Sequence, residues 1–492
     1  MRLTPRRSFV LLVYALAVAM SVGTATDPDL WWHLRTGDVI LSDGIPSGDV
    51  FSFTVPGREW VTQEWGSQVF MYGLWSAAGA TGLILVFTGL IIASFVLAHR
   101  TSTARTTITA IVVLLAAATA RPVTAPRPQM FNLLFLALLI YGLERVRRGT
   151  IDPKWVWLAI PLTIIWSNFH SGYLLGVVTL AVYAVGERLE RRRHNGRAMP
   201  SAAASRLPLL TGGAFLAAAI NPNGVAMWTY PITTLRSDAM RTYITEWHSP
   251  NFHSTWYWPL ALLLIVTVLS VAASTRKPGW TQGLLLFGTA VAALQSTRHI
   301  PLFAIVAIPI VAEQLEVAWD ATLAKRQARA TLFARSRPIA VLTTTLAATI
   351  TVMFLAAAVN NNDRAVAEIY PSDAVDAILN SELADARGYN DYGWGGYLIW
   401  RDIPVFIDGR ADVYGDEFMR LYFQAEDAEP DWREPLDSFE VEYALMAPGA
   451  PLGVVLYEAP EWTSVYLDDI AEIFVRCTDD CPVLERPASI DN

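Results

Sequence analysis

The sequence predicts an α-helical polytopic membrane protein of about eleven spans, N-terminus inside and C-terminus outside, with a small C-terminal α/β extracytoplasmic domain. Three observations predict it. Only 17% of the 492 residues are charged and 53% are hydrophobic, where soluble domains run near ~25% charged. Apolar runs recur up to residue 358, and a bilayer crossing takes about 20 residues. The charge is also divided: positions 359–492 hold 29 Asp and Glu against 8 Lys and Arg, a net of −21, while positions 1–358 carry +13. This excludes a secreted, collagenous or disordered chain. An acidic tail without a basic arm argues against nucleic acid as a partner. The expected domains are therefore 1–358, a transmembrane domain whose outer loop 27–66 carries interfacial helices, and 359–492, a soluble domain.

The runs fall at roughly 8–25, 81–98, 106–120, 128–143, 155–167, 172–186, 207–220, 256–273, 280–296, 300–314 and 338–358. Alternate connections differ in basic content, and basic loops stay cytoplasmic. One set begins with Arg2, Arg6 and Arg7 and includes Arg145, Arg147, Arg148 and Lys154, Arg188 to Arg206, and Lys325 to Arg337. It holds 22 Lys and Arg, while the opposite loops hold 7. The N-terminus is then cytoplasmic, and an odd number of spans puts the tail outside the plasma membrane. Residues 9–25 also have the form of a signal peptide, with Gly23-Thr24-Ala25 as small residues at its end. A retained anchor is preferred because Asp27 follows two residues later and belongs to a candidate site. Cys477 and Cys481 lie in the outer tail, where a disulfide is permitted. Two thiols do not complete a metal site, which leaves a local staple or two free thiols.

The cytoplasmic loops read as orientation signals and lipid contacts. Polar chemistry collects on the other side, where five of the seven histidines fall: His33, His170, His248, His253 and His299. The first outer loop opens Asp27-Pro28-Asp29-Leu30-Trp31-Trp32-His33. Leu30, Trp31, Leu34 and Val39 to Leu41 fit an amphipathic helix in the interface plane, and a second such stretch runs from Gln63-Glu64-Trp65 to Trp75. An interfacial aromatic belt accounts for Trp31 and Trp32. Asp29 stands at an N-cap position. Two carboxylates one residue apart at a membrane exit are also candidates to take a proton from an attacking hydroxyl, or, with Glu64, to bind Mg²⁺ or Mn²⁺. His33 lies beside them.

Arg121-Pro122-Val123-Thr124-Ala125-Pro126-Arg127 is a stiff outer loop. With Arg298 it forms a candidate clamp for a lipid phosphate or pyrophosphate, the alternative being headgroup snorkelling. His299 adjoins Arg298. Asn168-Phe169-His170-Ser171-Gly172 is a tight turn in which a buried, satisfied His–Asn pair is the plainer reading. Glu246-Trp247-His248 offers polar groups to sugar hydroxyls. In the tail, runs at 405–407, 443–446 and 471–475 read as strands, and 372–380 and 416–423 as helices. Its densest segments are Tyr389-Asn390-Asp391-Tyr392-Gly393-Trp394-Gly395-Gly396 and Asp408-Gly409-Arg410. Glycines admit a close ligand and aromatics stack on sugars, making Asp391, Tyr392, Trp394, Asp408 and Arg410 candidates for acceptor contact. Asp-Gly-Arg reads equally well as an ion-paired turn.

At this point the layout resembles the GT-C superfamily of membrane glycosyltransferases. Asp27-Pro28-Asp29 matches their catalytic acidic motif in place and kind. Asp391-Tyr392-Gly393 is similar to part of the oligosaccharyltransferase signature Trp-Trp-Asp-Tyr-Gly, with Tyr389-Asn390 in place of the two tryptophans. The combination with Arg-Pro-Gln, Asn-x-His-x-Gly and Asp-Gly-Arg is similar to bacterial multi-span proteins near these enzymes. The resemblance implies an inverting transfer of a sugar from a polyprenyl-phosphate donor to an extracytoplasmic glycan, lipid or protein acceptor, with membrane lipids as surroundings. Asp27 and Asp29 would be catalytic, Arg121, Arg127 and Arg298 would hold the donor phosphate, and His33, Glu64, His170, Glu246 and His299 would assist. A lipid-linked glycan transporter is one alternative, weakened by the lack of charge mid-span and of internal repeats. A non-catalytic envelope scaffold is the other.

Overall fold

The computed structural model describes residues 4–193, 198–323, 337–477, 481–482 and 484. Arg2, Arg197 and the basic run from Lys325 to Arg335 lie outside the described residues. The chain divides into two compact units: Met1–Thr24, Thr81–Pro231 and Glu246–Asn360 form the first, and Ala25–Ala80, Ile232–Thr245 and Asn361–Asn492 form the second. The sequence division near residue 358 falls close to where the last segment of the second unit begins. The outer loop, however, belongs with the tail and not with the helices that flank it.

The first unit is helical, and each of the expected apolar runs lies on a helix. Among the described residues six helices are long and apolar enough to cross a membrane, which makes this a polytopic membrane protein. Those six are Trp65–Thr101, Thr106–Val123, Gln129–Arg147, Thr255–Ala273, Thr297–Ala321 and Pro338–Asn360. Shorter helices such as Ala159–Phe169 and Leu207–Ala217 occupy other runs. Helix Trp65–Thr101 is interrupted at Gly79, whose φ of 56° leaves the helical region, a conformation glycine adopts without penalty. Burial ranks the helices. Thr297–Ala321 is 78% buried over its apolar window and Pro338–Asn360 only 11%, so the former is the central element and the latter faces lipid on most sides. Pro338–Asn360 packs along Pro5–Ser21, where the hydroxyls of Thr344 and Ser8 meet at 3.1 Å.

The second unit is built on a four-stranded sheet of order β1-β2-β4-β3, with β1 Gly388–Asn390, β2 Tyr443–Met446, β3 Trp462–Leu467 and β4 Glu472–Arg476. β1 runs parallel to β2 and the other pairs are antiparallel. The runs at 443–446 and 471–475 are therefore strands. Residues 405–407 are not in the sheet, because Val405 exchanges backbone hydrogen bonds with Phe51 and Phe53, each at 3.2 Å. That strap also closes through Thr54 Oγ1, which donates to the Phe406 carbonyl at 2.7 Å. The helices of this unit include Ser372–Leu379, Gly395–Trp400 and Ala411–Glu426. Cys477 and Cys481 form a disulfide, a local staple.

Leu30–Asp43 is a helix, as its spacing predicts, but its first two turns are core. Trp31 is 4% exposed and its ring meets Trp75, Tyr370, Tyr397 and Trp400 at centroid distances of 5.3–6.2 Å. The aromatic-belt reading fails for Trp31, whose ring packs largely on tail aromatics, and for Trp32, which is buried beside His33 and Trp60. The helix pairs closely with the one starting at Trp65: a Cβ on Gly37 would lie 2.7 Å from that of Tyr72.

The second core feature is Arg410. Its side chain is fully buried, ion-paired to Asp49 at 2.7 Å and to Asp408 at 2.6 Å, with Nε donating to Asp408 Oδ1 at 2.8 Å. Tyr414 donates to Asp408 Oδ2 at 2.6 Å. The guanidinium lies within cation–π distance of both the Phe51 and Trp60 rings, at 4.9 and 4.7 Å. Burial opposes its charge, and Asp408 and Asp49 more than compensate, raising its pKa.

Beside β1, Glu426 Oε2 accepts from the Tyr389 and Tyr422 hydroxyls, both at 3.0 Å. Burial, with Asp391 adding like charge, raises its pKa from 4.5 to about 7. The folded state then binds this proton more tightly than the unfolded chain. Stability from this group is full below pH 4.5 and is lost as pH rises toward about 7. We expect Glu426→Gln to flatten the decline in unfolding midpoint between those limits. A decline as steep as in the parent would assign the pH dependence elsewhere.

Candidate active site

The acidic motif is organised by the start of helix Leu30–Asp43. Asp27 Oδ1 accepts the Asp29 backbone N–H at 3.1 Å, a local turn contact of the kind aspartate favours. Asp29 occupies the N-cap position without a side-chain capping hydrogen bond. Its Oδ1 accepts instead from Trp32 Nε1 at 3.0 Å, one helical turn on. The capping explanation therefore does not account for Asp29, which is half-buried.

Two glycines of the tail lie against this motif. A Cβ on Gly396 would lie 2.5 Å from the Pro28 carbonyl oxygen, and one on Gly409 would collide with Asp29 Oδ1. Close approach of backbone is what requires glycine here. The two densest tail segments thus wall in the acidic motif within one unit. Behind it, the His33 ring lies 3.6 Å from that of Trp32, and His33 Nε2 lies 3.6 Å from Glu64 Oε2. Gln68 Nε2 is 3.4 Å from His33 Nδ1. His33 and Glu64 are both buried.

The expected acceptor residues separate. Asp408 and Arg410 are fully buried and hold the 49–60 strap, so they form the ion-paired turn and offer nothing to an acceptor. Trp394 is core, donating through Nε1 to the Ile369 carbonyl at 3.0 Å. Asp391 accepts from the Gly393 N–H at 2.7 Å, and burial raises its pKa. Tyr392 stays half-exposed, near Phe423 at 6.2 Å. Phe423 in turn stacks on Tyr243 at 4.1 Å, the last residue of helix Asp238–Tyr243. For a divalent ion, no group of three or more His, Cys, Asp or Glu able to hold a metal occurs among the described residues. Asp27, Asp29 and Glu64 therefore do not form the expected Mg²⁺ or Mn²⁺ ligand set in this arrangement.

The first unit has its own polar cluster. Arg127 is buried and paired to Glu246, and it donates from Nη2 to the Val123 carbonyl at 3.4 Å. Arg298 lies 4.6 Å over the Trp247 ring. Burial pushes the Glu246 carboxyl up, and Arg127 and Arg298 outweigh it, holding the pKa below the ordinary value. Arg121 is exposed, 5.3 Å over the Trp256 ring. His170 makes the buried, satisfied pair, with Asn132 Nδ2 at 3.2 Å and the Gly172 N–H donating to Nδ1 at 2.8 Å. Burial, then Arg298 and Arg127, lower its pKa to about 3, so the ring is neutral. The His299 Nδ1 is buried without a partner among the described residues.

No protein-family model matches the chain, and no curated protein matches it either. Solved structures do. The archaeal oligosaccharyltransferase AglB from Archaeoglobus fulgidus, in complex with an inhibitory peptide and a dolichol-phosphate, aligns with a TM-score of 0.55 at 9% identity, over 97% of this chain and 75% of its own. An Archaeoglobus fulgidus oligosaccharyltransferase tethered to an acceptor peptide containing the NVT sequon aligns at 0.52 and 11% identity, over 89% of this chain and 68% of its own. Arabinofuranosyltransferase AftD from mycobacteria aligns at 0.50 and 14% identity, over 98% of this chain and 42% of that one. At these identities the likeness shows the fold alone, a distant GT-C-like fold.

Proposed function

We propose that the chain is an inverting glycosyltransferase. It moves a sugar from a polyprenyl-phosphate donor to an extracytoplasmic glycan, lipid or protein acceptor, with eleven spans, the N-terminus inside and the tail outside. The observation that supports this most is Asp29, a half-buried carboxylate that does not cap its helix and is oriented by Trp32. In this reading Asp29 takes the proton of the acceptor hydroxyl. The acceptor oxygen then bonds to the anomeric carbon, whose bond to the phosphate oxygen breaks, and the electron pair leaves with the polyprenyl phosphate. The leaving phosphate is assigned to Arg298 and Arg127, the latter oriented by Glu246, while Arg121 is assigned an outer headgroup contact. Asp27 fixes the turn that carries Asp29, and Tyr392 contacts the acceptor. His33 and Glu64 support Trp32 from behind. No step is routed through a metal ion.

The likeness to a transferase solved with dolichol-phosphate and peptide supports a lipid-phosphate donor. The transporter and scaffold alternatives have no comparable support. Removing a charge-assisted phosphate contact costs about tenfold or more. Arg298→Ala is therefore expected to raise the donor KM or lower kcat about tenfold in a transfer assay with lipid-linked sugar. Unchanged kinetics would remove Arg298 from the donor site. Gly409→Ala forces a methyl into Asp29 and is expected to lower kcat at least tenfold. Retention of full turnover would contradict the placement of Asp29 as base.

A further inference from the structure

The helices that start at Arg127 and Arg298 lead to a second polar region of the first unit. Gln129–Arg147 ends at Arg147, roughly 28 Å along at ~1.5 Å per residue. Ile300–Leu323 carries Glu313, Gln314 and Glu316 past its midpoint. Here a cavity of about 500 Å³ is lined by Arg147, Arg148, Arg276, Lys277, Glu313 and Gln314, among others.

The carboxylates of this wall are already engaged. Glu144 pairs with Arg147 at 3.2 Å and Arg148 at 3.5 Å, and Glu316 with Arg105 at 3.1 Å. Glu313 accepts from the Thr103 N–H and hydroxyl, both at 2.9 Å. Arg276 and Lys277 are exposed at the rim, where Lys277 Nζ also donates to the Val271 and Ala272 carbonyls at 2.8 and 3.1 Å. Gln314 is 4% exposed, and its side-chain oxygen is buried without a hydrogen-bond partner among the described residues. A buried acceptor left so costs free energy and calls for a donor from a bound molecule.

Lys277 also lines a second cavity of about 770 Å³, otherwise apolar, whose walls include Val268, Val271, Trp280, Leu284 and Phe287. It lies on helices Trp258–Ala273 and Trp280–Gln295, where Phe287 is 72% and Val268 66% exposed. In a membrane protein these surfaces face hydrocarbon. A cationic pocket and an apolar groove that share one lysine have the two-part chemistry of a lipid.

We propose that these joined cavities bind an anionic phospholipid whose headgroup carries a hydroxyl. Its phosphate meets Arg276, Lys277 and Arg148, its hydroxyl donates to Gln314, and one acyl chain lies in the groove. The occupant is a lipid, because the polar cavity and the hydrocarbon-facing groove share Lys277 and one molecule with a charged head and an acyl chain fits both. The site is separate from the Arg127–Glu246–Arg298 cluster and does not depend on the transfer reaction.

Native mass spectrometry of the full chain in mild detergent, titrated with phosphatidylglycerol, tests this. Arg276→Ala combined with Lys277→Ala is expected to weaken one binding event about tenfold, while Arg298→Ala leaves that event unchanged. Gln314→Leu is expected to abolish preference for phosphatidylglycerol over phosphatidylmethanol, which has the same charge and no hydroxyl. Unaltered binding by the double variant would overturn the site. So would equal binding of phosphatidylcholine, or displacement of the lipid by glycerol 3-phosphate, which would make the ligand a soluble phosphate.

Discussion

Asp29→Asn is expected to lower sugar transfer by about 10²–10⁴-fold, the range general-base catalysis supplies, while leaving the fold intact. The amide keeps the shape and its oxygen still accepts from Trp32 Nε1, the 3.0 Å contact of the parent side chain. It cannot take the proton of the acceptor hydroxyl. The donor KM should stay near that of the parent, because the proposed phosphate contacts come from the first unit. Asp27→Asn makes the contrast. Its oxygen still accepts the Asp29 N–H, so the turn persists and most activity should remain. Initial rates of both variants, with tryptic resistance as a fold control, check this. Equal losses from both would mean that the two carboxylates act together.

The largest stability effect is expected at Arg410. Arg410→Ala leaves Asp49 and Asp408 buried without their cation, and breaking a buried pair in this way costs about 3–5 kcal/mol. The loss should fall on the second unit, where the arginine joins the 49–60 strap to the tail beside Phe51 and Trp60. Because Trp60 sits 4.7 Å from the guanidinium, its fluorescence should report the opening during urea titration. Activity should fall as a consequence, since Gly409 adjoins both Arg410 and Asp29. Arg410→Lys should recover only part of the stability, because an ammonium cannot reproduce the forked contacts to Asp408. A midpoint for Arg410→Ala close to that of the parent would contradict the central role of this pair.

Six of the expected apolar runs were legible as helices long enough to cross a membrane, because an apolar run is a local signal. The helix at Leu30–Asp43 and the strands at Tyr443–Met446 and Glu472–Arg476 were legible for the same reason. What eluded the sequence depends on partners distant in the chain. Val405 reads as a sheet strand until Phe51 and Phe53 are known to pair with it. Asp408 and Arg410 read equally as acceptor contacts or as an ion-paired turn, and only the distant Asp49 decides for the second. Trp31 and Trp32 match a membrane interface by composition, and only their partners, tail aromatics for Trp31 and Trp60 for Trp32, make them core.

The candidate site was partly legible. Asp27-Pro28-Asp29 stood out by its position, but the difference between its two carboxylates lies in their hydrogen bonds. Trp32 had a usable signal, since a residue three positions after Asp29 on a helix shares its face. Gly396 and Gly409 had none beyond the glycine-rich composition, because the need for glycine arises from surfaces contributed by residues 28–32. Arg127 and Glu246 offered no local cue to their pairing either.

The most direct test of the central claim follows the donor lipid itself. Purified protein would be incubated with envelope lipids and acceptor fractions, and the polyprenyl-phosphate sugar pool followed by mass spectrometry. The account predicts conversion to free polyprenyl phosphate with matched gain of sugar on an acceptor, lost in Asp29→Asn. A donor pool that stays intact, or one that only changes leaflet with its sugar attached, would contradict it.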